Sequence, residues 1–197
     1  MQYSTLAILS FAALASATNQ VTFESLDSTD RTVYFTPTSG QSDIDATTVA
    51  GGDSVTVDFP DGWIGNWYAI TEGSENTPGM LGEVSFNSWG DLTYFDVSAI
   101  VNPDDTNGVY QLYPADSNTP VSGCVSMDGC TNLYTQSDDV QTKSTTSTHL
   151  ISTLGAGNVA VSKRGLEGRD DEQTFPRAAV TDSNWKPARF HARQFSA

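Results

Sequence analysis

The stretch from Gly79 to Pro103 constrains the fold more than any other. Val84 and Phe86 alternate with Glu83 and Ser85, the period of a strand with one buried face. Asn87, Ser88, Gly90 and Asp91 punctuate a turn. Leu92 to Val97 is then a β-branched and aromatic run, so the segment reads as two strands around a turn. Two carboxylates, Glu83 and Asp96, interrupt this apolar text. A carboxylate inside a strand is either turned to solvent or held for a purpose.

The rest of the chain repeats the pattern. Strands are expected at Val21–Phe23, Arg31–Thr36, Val55–Phe59, Trp63–Ile70, Gly108–Tyr113 and His149–Leu154. Turns fall at Pro37–Gly40, Gly51-Gly52 and Pro60–Gly62. No segment sustains a helical period. Many short strands between Gly-, Pro- and Asp-rich turns predict an all-β sandwich.

Three segments are expected. Residues 1–17 read as a signal peptide: Leu6–Ala15 is a short apolar run, and Ala15-Ser16-Ala17 fits cleavage after a small-x-small triplet. Residues 18–155 form one domain. Residues 156–197 are polar and charged and read as a disordered tail. In that tail Lys163-Arg164 is a candidate processing site. Ala192–Ala197 is not an apolar tail, so no lipid-linked anchor is expected. The chain is expected to be secreted and monomeric.

Charge narrows the partners. Between Thr18 and Ser162, two basic residues, Arg31 and Lys143, face 19 acidic ones, a net charge of −17. From Lys163 onward seven basic and five acidic residues give +2. Phosphate backbones are bound by clustered Lys and Arg, so the acidic body argues against a nucleic-acid partner. A metal nuclease would need cationic phosphate clamps, and the body offers only His149 with Lys143. Solubility alone, or neutral or cationic partners, suits the acidity. Cys124 and Cys130 are an even pair in an exported chain, which favours a disulfide. Five residues lie between them, so the bond pins a local loop. That loop holds no His, and neither metal nor cofactor is expected.

Five segments, in order, resemble the thaumatin-like family, and in particular the small cysteine-poor secreted thaumatin-like proteins of filamentous fungi. They are Ala50–Ser54, Trp63–Trp67, Leu81–Phe86, Leu92–Ser98 and Gln136–Ser144. Order and the 13-residue spacing from Glu83 to Asp96 carry the likeness. The resemblance implies a β-sandwich with an acidic cleft for β-1,3-glucan, built from one Arg, one Glu and three Asp. Glu83 matches the Glu and Asp96 the first Asp. Asn66 stands at the Arg position. Val101 falls where a second Asp is expected, with Asp104 and Asp105 just beyond. Asp138 or Asp139 matches the last.

The implied function is binding of cell-wall β-glucan. A weak endo-β-1,3-glucanase is the alternative, with Glu83 as acid and Asp96 as nucleophile or base, supported by Asp138 or Asp139. A third reading is a secreted effector or adhesin whose acidic surface recognises a host protein. Tyr94 shares a face with Asp96 and could meet a sugar ring. Trp89, in a turn between polar residues, is the best candidate for an exposed platform, although packing over the hairpin competes. Structural roles for Glu83 and Asp96 remain open beside all three.

Overall fold

The computed structural model describes residues 18–156. Ala17, the expected signal segment and the dibasic pair Lys163-Arg164 lie outside the described residues.

Among the described residues eleven strands form two sheets. In chain order they are β1 (Asn19–Ser25), β2 (Arg31–Pro37), β3 (Thr47–Val49), β4 (Ser54–Phe59), β5 (Ile64–Thr71), β6 (Leu81–Ser85), β7 (Thr93–Ser98), β8 (Val109–Pro114), β9 (Ser122–Gly123), β10 (Lys143–Thr145) and β11 (His149–Leu154). A single 3-10 turn, Trp89–Asp91, joins β6 to β7. One sheet has the order β4-β1-β11-β8-β9 and the other β10-β7-β6-β5-β2-β3. All strand pairings are antiparallel except β1 with β11.

The core lies between the sheets, as strand alternation dictates. Val21 and Phe23 of β1, Leu112 of β8, and Leu150 and Leu154 of β11 meet Val33, Trp67, Ala69, Val84, Phe95 and Val97 from the other sheet. Phe23 and Trp67 meet edge to face at 5.6 Å across the interface. Phe59 does the same with Trp63 at 5.0 Å. Such pairs add about 0.5–1.5 kcal/mol each beyond their buried area. The Trp67 indole N–H is satisfied inside the core, donating to Ser152 Oγ at 3.1 Å.

One glycine makes this packing fit. Gly82 is the register partner of Trp67, and a Cβ there would lie 2.5 Å from the indole ring. No side chain larger than hydrogen is compatible with Trp67 in place. Because Gly82 and Val84 face the core, Leu81, Glu83 and Ser85 must face the other way. This places the first candidate carboxylate on the outer face of the six-stranded sheet.

Candidate functional site

Four strands deliver one polar row across that outer face. In register, Thr36 of β2 pairs with Asn66 of β5, Asn66 with Glu83 of β6, and Glu83 with Asp96 of β7. The row ends at Thr142, just before β10, whose Oγ1 donates to Asp96 Oδ2 at 3.2 Å. Directly opposed residues in adjacent strands hold their Cβ atoms about 5 Å apart. Glu83 and Asp96 are therefore side by side, within hydrogen-bonding reach of each other.

The carboxyl end of the row is buried although it lies on the outer face, whereas Thr36 and Asn66 are only partly buried. Glu83 is 9% exposed and Asp96 2%. The chain returns over the end of β7: Tyr134 bridges to Ser98, and its hydroxyl bonds Thr142 Oγ1 at 2.8 Å. Leu81, Ser85 and Ser98 on the same face are buried too. The two carboxyls are therefore covered by the chain itself and do not line an open cleft.

Burial and like charge set the protonation. Glu83 is pushed well above the ordinary carboxylate range, chiefly by desolvation and then by the charge of Asp96. Asp96 is raised to about 6, again by desolvation. Its rise is held back by hydrogen bonds from Glu83 and Thr142 and by the charge of Lys143. Both carboxyls thus hold their protons to higher pH than free side chains do, and they titrate together as a pair. Lys143 does not complete an ion pair with Asp96. Among the described residues the one ion pair is Arg31–Asp27.

Three oxygens along this face lack any donor. Asp96 Oδ1, Asn66 Oδ1 and Ser85 Oγ are all buried without a hydrogen-bond partner. Buried polar atoms are nearly always paired, so three together on one sheet face require an explanation.

The other candidates do not join the pair. Asp139 caps its own turn, its Oδ2 accepting from Thr135 N, Thr135 Oγ1 and Gln136 N at 2.8–2.9 Å. Those bonds hold its carboxyl below the usual range. Asp138 is exposed. Asp105 anchors its loop by accepting from Met80 N, Asn107 N and Gly108 N. Tyr94 is half-buried, and its hydroxyl donates to the Trp89 carbonyl at 3.1 Å. Trp89 projects from the hairpin tip and is 73% exposed, so it does not pack over the hairpin. Cys124 and Cys130 form the expected disulfide.

One functional-looking residue was not singled out by sequence reasoning. Arg31 is fully buried. Its guanidinium grips Asp27 with two bonds of 2.7–2.8 Å. It also donates to Ser25 Oγ, the Thr29 carbonyl and the Asn107 carbonyl. The signal was its rarity, one of two bases in an acidic body.

The fold defines a class: a two-sheet all-β domain like the protein elicitor MoHrip2 of Magnaporthe oryzae. That crystal structure matches at a TM-score of 0.53 and 20% identity, covering 69% of this chain and 98% of the other. The family follows from sequence. The chain is 50% identical over 141 residues to antigenic protein SchS21 of Stachybotrys chartarum, spanning 72% of this chain and 97% of the relative, and it belongs to that family. No family model matches the chain.

These findings correct the thaumatin-like expectation. The relative is an antigenic protein and the similar structure an elicitor, neither a thaumatin. Binding of cell-wall β-glucan, which rested on that resemblance, goes with it. Glu83 and Asp96, the two carboxyls considered for hydrolysis, stand opposite each other on adjacent strands, and both are buried.

Proposed function

We propose that the chain is a secreted protein of the antigen and elicitor kind, acting by presenting its surface to a protein of another organism. The observation that carries this reading is the 50% identity across nearly the whole of an antigenic protein. The elicitor likeness supports the fold, and its activity comes here only as part of this proposal. Among the described residues no helix is long and apolar enough to cross a membrane.

The surface suits recognition. Trp89 is the exposed aromatic at a hairpin tip, seated by the Tyr94 hydroxyl and followed by Asp91. Around it lies a body of net charge −17. An exposed Trp within an acidic field fits a partner with an apolar pocket rimmed by Lys or Arg. Electrostatic attraction would speed encounter, and the indole would supply the anchor.

The test applies the purified full chain to leaf tissue and records the oxidative burst. The wild-type chain should give a response, reduced about tenfold or more in Trp89→Ala, as expected for loss of a hot-spot aromatic. Circular dichroism of the variant should stay unchanged. Absence of a wild-type response at micromolar dose overturns the reading. A full response from Trp89→Ala overturns the part given to Trp89.

A further inference from the structure

The oxygens of the outer face are arranged as acceptors without donors. Glu83 and Asp96 lie opposite each other, Asn66 lies opposite Glu83, and Ser85 follows Glu83 by two residues on the same face. Ser85 is 2% exposed and its Oγ has no partner. Asn66 Oδ1 and Asp96 Oδ1 are likewise unpaired and buried. Thr142 Oγ1 reaches the same carboxylate from the covering segment.

Asn66 Oδ1 and Ser85 Oγ are left without a donor on adjacent strands, Asn66 opposite Glu83 and Ser85 two residues along from it. Lys143 makes no ion pair with these groups, although its charge reaches Asp96. No other basic residue lies in the described part of the chain except Arg31, whose donors are taken.

We propose that Asn66, Glu83, Ser85 and Asp96 form a binding site for a hard divalent cation of the calcium type. The donor set fits the ion: two carboxylates, one amide oxygen and a hydroxyl, all oxygen, with no nitrogen or sulfur. Two carboxylates match a charge of two, which removes the repulsion of placing both in one buried site. Calcium accepts irregular oxygen cages, whereas magnesium demands near-octahedral geometry and keeps its waters. A flat row on a sheet suits the former. An ion bound there would tie β5, β6 and β7 together, beside the Thr142 hydroxyl that already holds Asp96.

The experiment follows thermal unfolding of the full chain at pH 7.5, stripped with chelator and titrated with Ca²⁺ alone, then with Mg²⁺ alone. A saturable rise of about 5–10 °C with Ca²⁺ is expected once the ion exceeds its dissociation constant about a hundredfold. Glu83→Gln and Asn66→Ala should each weaken the midpoint by about tenfold or more. Asn66→Asp adds a third carboxylate. It should be less stable without the ion and bind it more tightly, which keeps the test open even where other variants fail to fold. No rise with Ca²⁺ overturns the proposal, leaving a proton and water as the occupants. So does an undiminished rise in Glu83→Gln, an equal midpoint with Mg²⁺, or weaker binding by Asn66→Asp, each of which traces the effect to the acidic surface.

Discussion

Two buried charged sites sit in this domain and are built on opposite terms. At one, Arg31 meets Asp27 with opposite charge, and the guanidinium reaches five oxygens in three loops and strands. At the other, Glu83 meets Asp96 with like charge, and acceptors outnumber donors. The first is complete within the chain. Arg31 joins the loop after β1 to the loop before β8, which no backbone ladder connects. The second is complete only with something added, a proton at least. A buried polar group that is fully paired is architecture, whereas one that is not marks a place where the environment acts on the protein.

The largest expected effect breaks the complete site. Arg31→Met strands the Asp27 carboxylate and the Asn107 carbonyl, and should cost about 3–5 kcal/mol in urea unfolding. A loss near zero would put both sites in the same category.

The second prediction uses pH, because the two sites respond with opposite sign. Glu83 and Asp96 hold protons to higher pH when folded than when unfolded. Below the unfolded range both states are neutral there, and the pair costs nothing. As pH rises above about 4 the unfolded chain ionises freely and the folded pair resists, so stability falls until pH passes the folded value. For Asp96 that value is about 6. Asp27 is held below its usual range by Arg31, so its contribution is present above that range and vanishes in acid. Urea midpoints in chelator should therefore decline from pH 4.5 to 7, and Glu83→Gln should flatten that decline while leaving the acid limb alone. A profile that rises to neutrality would reverse the assignment.

The smallest effect probes the covering segment. Thr142→Val removes the donor to Asp96 Oδ2 and should cost about 1 kcal/mol. It should also steepen the decline with pH, since Asp96 loses one of the bonds holding its carboxyl down.

Much of the scaffold was legible and the sites much less so. The long strands announced themselves by alternation or by β-branched and aromatic runs: Arg31–Thr36 and Trp63–Ile70 fall within a residue of β2 and β5. β3, β9 and β10 were missed because two or three residues are too few to show a period. Alternation also put Tyr94 and Asp96 on one face. It could not show that the face is covered. The cover comes from Tyr134 and Thr142, some 40 residues further on, polar and irregular, with no pattern to mark them. A carboxylate read as open to a ligand was thus buried. The resemblance to thaumatin-like proteins failed for a related reason. Strand motifs such as Leu81–Phe86 encode a pleated face against a core, which unrelated sandwiches share.

The parallel pairing of β1 with β11 has a consequence for how the chain comes to be folded. β11 lies in the middle of its sheet, between β1 and β8. Until residues 149–154 have been made, the ribbon of β4 and β1 and the ribbon of β8 and β9 have no common partner, and each carries a bare edge. The last strand in sequence is the one that closes the layer. A nascent chain of this kind waits almost to its end before it can commit, and the wait is long because the contacts it lacks span more than a hundred residues.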